Sequence, residues 1–184
     1  MTGATGEGGV RIRDARADER EAIRELTMRA YSQYATIMAP TAWAGLREAL
    51  VAALALEGGA ERIVAERDGR LVGSVMLYPP ETDAYGGLAA EATWPELRLL
   101  AVDPEARGLG VGAALVDECV RRARASGASA LGLHTSRSME AAIRMYERLG
   151  FVRAPEHDFH PEGAEVVWGY RLDLDDAPTS RSVS

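Results

Sequence analysis

The stretch Val102-Asp-Pro-Glu-Ala-Arg107-Gly108-Leu109-Gly110-Val111-Gly112 decides how the rest of the chain is read. Before it runs Glu96-Leu-Arg-Leu-Leu-Ala-Val102, nearly all apolar and of strand length, which predicts a central strand buried on both faces. After it, Leu115, Val116, Cys119, Val120 and Ala123 recur at helical spacing up to Gly127. Glycines at alternate positions keep Cβ atoms out of the way, so successive backbone N–H groups can converge on an anion. The helix adds its positive end and its unpaired N–H groups, and Arg107 adds a forked cation suited to phosphate. Strand, glycines, arginine and helix in this order read as a pyrophosphate cradle, against the plainer alternative of a Gly-rich connection with a solvated arginine.

Two familiar phosphate loops fit poorly. The P-loop requires G-x-x-x-x-G-K-[ST], and the chain has no such Lys-Ser/Thr pair. Gly108, Gly110 and Ala113 do satisfy the dinucleotide string G-x-G-x-x-G/A. That string opens the first βα unit of its fold, however, whereas here it follows about a hundred residues. The acid expected roughly 20 residues later is also missing from Ser129 to Ser136, SALGLHTS. A nicotinamide-binding domain stays open as the lesser alternative.

Working outward, VRIRDA near the start alternates as a strand, and Ile23, Leu26, Ala30, Tyr31 and Tyr34 then recur at helical spacing until Pro40. A second helix is expected over Trp43 to Leu56, stopped by Gly58-Gly59. Arg62 to Glu66 and Arg70 to Tyr78 alternate with period two around Asp68-Gly69, which predicts a hairpin with a type I′ turn. Downstream of the cradle come a strand at Ala130 to His134, a helix from about Ser138 to Leu149, and strands at Phe151-Val152 and Val166 to Leu172. The order β-α-α-β-β-β-α-β-α-β-β implies a mixed α/β domain in which a helical crossover makes two strands parallel. The expected folded unit is 10–174, between mobile tails at 1–9 and 175–184.

Composition narrows the function. The 184 residues carry 21 Lys+Arg against 28 Asp+Glu, a net charge of −7, with 47% apolar and 27% charged residues. This is a soluble globular domain of ordinary size, not a disordered chain. A negative balance without a basic run excludes nucleic acid as the expected partner and permits a cationic one. No apolar run approaches the ~20 residues that span a bilayer, and MTGATGEGGV lacks the regions of a signal peptide. With Cys119 the single cysteine, a cytoplasmic protein is expected. Cys119 on the helical stripe reads as a small buried apolar residue rather than a nucleophile. His157-Asp-Phe-His160 has spacing for at most a weak metal site, so no metal is expected.

At this point the sequence resembles the GCN5-related N-acetyltransferase (GNAT) family, whose acetyl-CoA loop has the pattern R/Q-x-x-G-x-G/A. Arg107 to Gly112 matches every fixed position, and LLAVDPEA is similar to the family's lead-in from its fourth strand. A second landmark, Ala142, Tyr146 and Gly150-Phe151, is similar to the family's A-x-x-x-Y-x-x-x-G-F. The resemblance covers about 10–174. It implies a mostly antiparallel sheet with helices on both faces, its parallel fourth and fifth strands splayed apart to admit acetyl-CoA. The pantetheine arm would lie along Leu100, Ala101 and Val102, and the pyrophosphate on Arg107, Gly108, Leu109, Gly110, Val111, Gly112 and Ala113. Where many members place a cofactor-binding Asn this chain has Met139, so that contact is lost or is made by Ser138 instead.

The implied reaction is transfer of acetyl from acetyl-CoA to a primary amine, a small molecule or a peptide, by direct attack. An alkyl ammonium with pKa ~10.4 is only about 0.04% neutral at pH 7, so a base is required. Glu96 stands where some members place a catalytic Glu; the alternative is a strand-end Glu facing solvent. A backbone N–H near Leu100 would meet the negative charge that develops on oxygen. Tyr146 holds the family's position for the acid that serves the departing thiolate, and its ring can at the same time be core. Tyr31, Tyr34 and Trp43 are candidates for the acceptor wall, each equally suited to plain core. The rival is a non-catalytic acyl-CoA-binding module, towards which Met139 points. Homodimers occur in the family, although no stretch of this sequence argues for one.

Overall fold

Strand and helix positions along the chain follow from alternating and helical apolar periods. The computed structural model describes residues 9–90 and 92–175. Residues 1–8 and 176–184, which hold almost all of both expected tails, lie outside the described residues, as does Glu91. The strands are β1 (Arg11–Asp14), β2 (Glu61–Arg67), β3 (Arg70–Tyr78), β4 (Glu96–Val102), β5 (Ala130–Ser136), β6 (Val152–Arg153) and β7 (Val167–Asp173). The helices are α1 (Arg20–Tyr31), α2 (Pro40–Ala55), α3 (Val111–Ala125) and α4 (Glu140–Arg148). The seven strands form one sheet in the order β1-β2-β3-β4-β5-β7-β6, antiparallel throughout except for β4 beside β5.

The hairpin of β2 and β3 turns at Asp68 and Gly69, both at positive φ (51° and 74°) as a type I′ turn requires. Along β2 and β3, Ile63, Ala65, Val75 and Leu77 join the core under α3 and α4, whereas Val64, Met76 and Tyr78 join the core under α1 and α2. The period of two therefore divides the apolar residues between two helical layers, one on each face.

Two boundaries differ from the sequence expectation. Pro40 opens α2 instead of closing the segment before it, because a first helical residue has no N–H bond to lose. Tyr34 lies beyond the end of α1, in a 3-10 stretch from Ser32 to Thr36. There Ser32, Gln33 and Thr36 donate side-chain hydrogen bonds to carbonyls three residues earlier, which suits the tighter winding.

β4 contains the irregularity that matters most. Opposite β3, Ser74 pairs with Ala101 and Met76 with Arg98, so Leu99 and Leu100 together face Val75. This is a β-bulge, with Leu99 in the left-handed region at φ 55°. Leu97 points to the α3–α4 layer; after the bulge, Leu100 and Val102 do so, while Leu99 points to the α1–α2 layer. Without the extra residue the alternation would carry Leu99 to the first layer and Leu100 to the second.

Candidate active site

β4 and β5 pair at one point. Glu96 is opposite Gly132, whose N–H donates to Pro95 O at 2.9 Å, and beyond it the strands separate. β5 continues in full register with β7, from Ala130 opposite Asp173 to Ser136 opposite Val167, so the gap opens on its β4 side. Leu99 and Leu100 have no ladder partner on either side.

A cleft of about 410 Å³ occupies the gap. Its walls include Leu100, Ala101 and Val102 of β4, the loop residues Arg107, Gly108 and Gly110, Val111, Gly112 and Ala113 at the start of α3, and Met145 and Tyr146 of α4. Gly108 and Gly110 have φ of +79° and +78°, a conformation costly for other residues, and this turns the chain directly into α3. The first-turn N–H groups of α3 have no acceptor within the helix and are available to an anion. Gly112 plays a different part: it is helical, and a Cβ there would lie 3.1 Å from Met145 Sδ, so it permits close approach of α3 and α4.

α1 is tied to the loop at two points. Arg29 Nη2 donates to Asp103 Oδ2 at 2.8 Å, and Arg107 Nη2 donates to Ala30 O at 3.2 Å. Of the residues expected at the cradle, Leu109 turns outward and is 49% exposed, and it does not line the cleft. Ser138 is also elsewhere. Its hydroxyl donates to Glu165 Oε2 at 2.7 Å on a separate surface depression, while Met139 lines the cleft itself.

Tyr146 is 5% exposed, and its ring meets Phe151 edge-on with centroids 5.8 Å apart. Burial, and then the neighbouring phenols of Tyr31 and Tyr34, push its hydroxyl well above the ordinary tyrosine range, so it keeps its proton. Core packing and a place on the cleft wall thus coincide in one side chain.

A second cavity, of about 260 Å³, lies on the other side of β4 under α2. Both cavities are lined by Tyr31, Arg98, Leu99, His134, Thr135 and Met139, so they meet at the bulge. Tyr31 stands at this junction, and Tyr34 lines the cleft. Trp43 is placed otherwise: it packs beside Met38, Ala42 and Met139, and the face of α2 that lines the cavity carries Gly45, Leu46 and Ala49. The wall is completed by Tyr85 and Phe159, which pack around the His134 ring with centroids 4.7 and 5.2 Å away.

Glu96 is 8% exposed and lines neither of these cavities. The solvent-facing alternative is thereby excluded, and the carboxylate instead faces His134, with Oε2 3.3 Å from Nδ1. His134 Nε2 lies 2.8 Å from His157 O, which can only accept, so Nε2 carries a hydrogen. Nδ1 and Oε2 then oppose each other as two acceptors unless one proton lies between them. His134 did not stand out in the sequence, although it shares a face of β5 with Gly132 at the strand contact. Arg98 was legible in principle, as the one charge inside Leu97 to Val102.

Residues 20–151 match the acetyltransferase (GNAT) family. The chain belongs to that family. Within it, the chain is 37% identical over 92 residues to the mycothiol acetyltransferase of Cellulomonas flavigena, covering 50% of this chain and 26% of that protein. The chain thus spans about a quarter of that relative's length. Among solved GNAT structures, an acetyltransferase from Brucella melitensis in complex with acetyl-CoA superposes with a TM-score of 0.57 at 25% identity, covering 90% of this chain and 88% of that one. The ribosomal-protein-S18-alanine N-acetyltransferase of Escherichia coli shares the fold, with a TM-score of 0.61 at 18% identity over 94% of this chain and 98% of its own.

Proposed function

We propose that this GNAT domain, residues 10–174, transfers an acetyl group from acetyl-CoA to a primary amine by direct attack. The observation that carries the reading is the meeting of two cavities at the Leu99 bulge: a cleft ending in the cradle on one side, a smaller apolar cavity on the other. The cradle fits the cofactor. Its left-handed glycines and the open first turn of α3 suit a pyrophosphate, and the backbone of Leu100 to Val102 suits a pantetheine arm. Arg107, exposed beside them, supplies a forked cation.

Acetyl-CoA supplies an acetyl thioester whose carbon takes the amine and whose sulfur leaves. The chain supplies the rest. Glu96 serves as the base that draws off the ammonium proton, beside the His134 ring that lines both cavities. The bulge provides backbone N–H groups outside the ladder for negative charge on oxygen. Tyr146 delivers its proton to the leaving sulfur and regains one from the amine side or from water. Its contribution is modest, because a thiol of pKa about 8–9 leaves tolerably unaided.

Among the described residues no helix is long and apolar enough to cross a membrane, and no cluster of metal-ligating side chains occurs. Burial pushes the Cys119 thiol up to about 12, which suits an unreactive core residue. The single cysteine of the chain suits a reducing compartment, and on that ground we place the protein in the cytoplasm.

Thermal unfolding with acetyl-CoA, CoA or NADH at about 100 times Kd, followed by CoA-release assays on an amine panel, tests the reading. Saturation is worth about 2.7 kcal/mol, a rise of roughly 5–10 °C for a chain of this size. A rise with both CoA compounds and not NADH, with CoA released by some amine, supports it. Binding without release from any amine would instead favour a non-catalytic acyl-CoA module.

A further inference from the structure

We propose that the cavity under α2 accepts a free α-amino acid with an apolar side chain, whose carboxylate pairs with Arg98. This rests on the acetyl-transfer reading and adds the class of acceptor. Arg98 lies beside the bulge and lines both cavities. Its Nη1 donates to Ala84 O and its guanidinium covers the Tyr85 ring at 4.4 Å, which fixes the side chain in place. Yet it forms no ion pair among the described residues. The half-buried Arg13 and Arg153 and the well-covered Arg122 each sit on carboxylates of the protein. A half-buried guanidinium facing a cavity without such a partner leaves donors directed at whatever enters.

The surroundings restrict that visitor. Met38, Leu46, Leu50 and Leu88 give the cavity apolar walls, and about 260 Å³ is small even for a small-molecule site. Glu162 and Glu165, both exposed, stand at its rim, so a ligand of several negative charges is repelled there. One cation inside and carboxylates outside suit a zwitterion. Because Arg98 immediately precedes the bulge where the cavities meet, carboxylate and reacting amine must lie close together on the ligand, as on one carbon. The apolar side chain then fills the space below α2.

The test compares L-leucine, L-leucinamide and 3-methylbutylamine as acceptors by CoA release, with wild type, Arg98→Met and Arg98→Lys. The amide's amine loses its proton more readily, which works against the expected order. Wild type is expected to favour L-leucine over both analogues that lack the carboxylate by about 10- to 100-fold in kcat/KM, the worth of hydrogen bonds to a charged group. Arg98→Met should bring that ratio near one, and Arg98→Lys should restore part of it. Retention of the acetyl-CoA thermal shift shows that a variant is folded. Equal or better use by wild type of the analogues that lack the carboxylate, or a ratio unchanged in Arg98→Met, overturns the proposal while leaving acetyl transfer intact. If acetyl-CoA binds and no amine is acetylated, the transfer reading fails. The site is then judged by calorimetry, where L-leucine must bind more tightly than 3-methylbutylamine.

Discussion

Replacing Glu19 by glutamine should remove stability that depends on pH in a defined window. Glu19 is 7% exposed at the turn from β1 into α1. Its carboxylate accepts a fork from Arg13, 2.7 Å from Nη2 and 2.8 Å from Nη1, and the Arg16 N–H at 2.7 Å. Arg13 also reaches Glu66 on β2, so the cluster fixes the start of α1 to two strands. The Arg13 hydrogen bonds, opposed by burial and helped by the Arg16 N–H, lower the Glu19 pKa from 4.5 to about 2. A lowered folded pKa means stability fully present above about 4.5 and lost as pH falls towards about 2. The difference between those values, at 1.36 kcal/mol per pKa unit, is at most about 3 kcal/mol. Urea unfolding of wild type and Glu19→Gln at pH 7, 5, 4 and 3 should show a gap of about 2–3 kcal/mol at pH 7 that narrows below pH 5. Glu118, also held at about 2 by Arg121 and Arg122, titrates in both proteins and drops out of the difference. A gap that stays constant from pH 7 to pH 3 would refute the reasoning, since the loss would then come from packing or the turn and not from the ionised carboxylate.

Further expectations concern the site. Tyr146→Phe should lower kcat by about 10- to 100-fold with little change in acetyl-CoA affinity, measured by steady-state kinetics and calorimetry; an unchanged kcat removes the hydroxyl from the reaction. Glu96→Gln should abolish the acidic limb of the kcat/KM profile, and a superimposable profile would assign proton uptake to another group or to water. At Gly110 a Cβ meets nothing within 4 Å, so Gly110→Ala isolates the cost of φ +78°. It should cost about 1–2 kcal/mol, a fall of roughly 2–8 °C in melting temperature. Cys119 should resist iodoacetamide at pH 8 in the folded protein and react in urea, followed by mass spectrometry; rapid labelling of the folded state would contradict its burial.

Much of the fold was legible because local periods carry it. The strand-loop-helix around Arg107 and the Asp68-Gly69 hairpin depend on neighbours in sequence, and both stand where their residues place them. Tyr146 was singled out by the family resemblance and the glycines by their spacing, and Tyr146, Gly108, Gly110 and Gly112 line one cleft. The cavity under α2 was not legible. Trp43 was expected in the acceptor wall on residue type, but the helical phase of α2 turns Gly45, Leu46 and Ala49 to the cavity instead. Ser138 was expected to replace an amide at the cofactor, but its hydroxyl is engaged by Glu165, 27 residues later.

By itself the sequence determined the order of elements, the apolar stripes that cover the sheet on both faces and the glycine-rich turn into α3, since each rests on contacts within a few residues. Only the tertiary structure decided the bulge at Leu99, which depends on β3 pairing out of step, and the site that follows from it. Glu96 meets His134 and Arg98 meets the Tyr85 ring because separate strands and loops converge at one point. That convergence depends on register, and a shift of one residue would send those side chains to the other face.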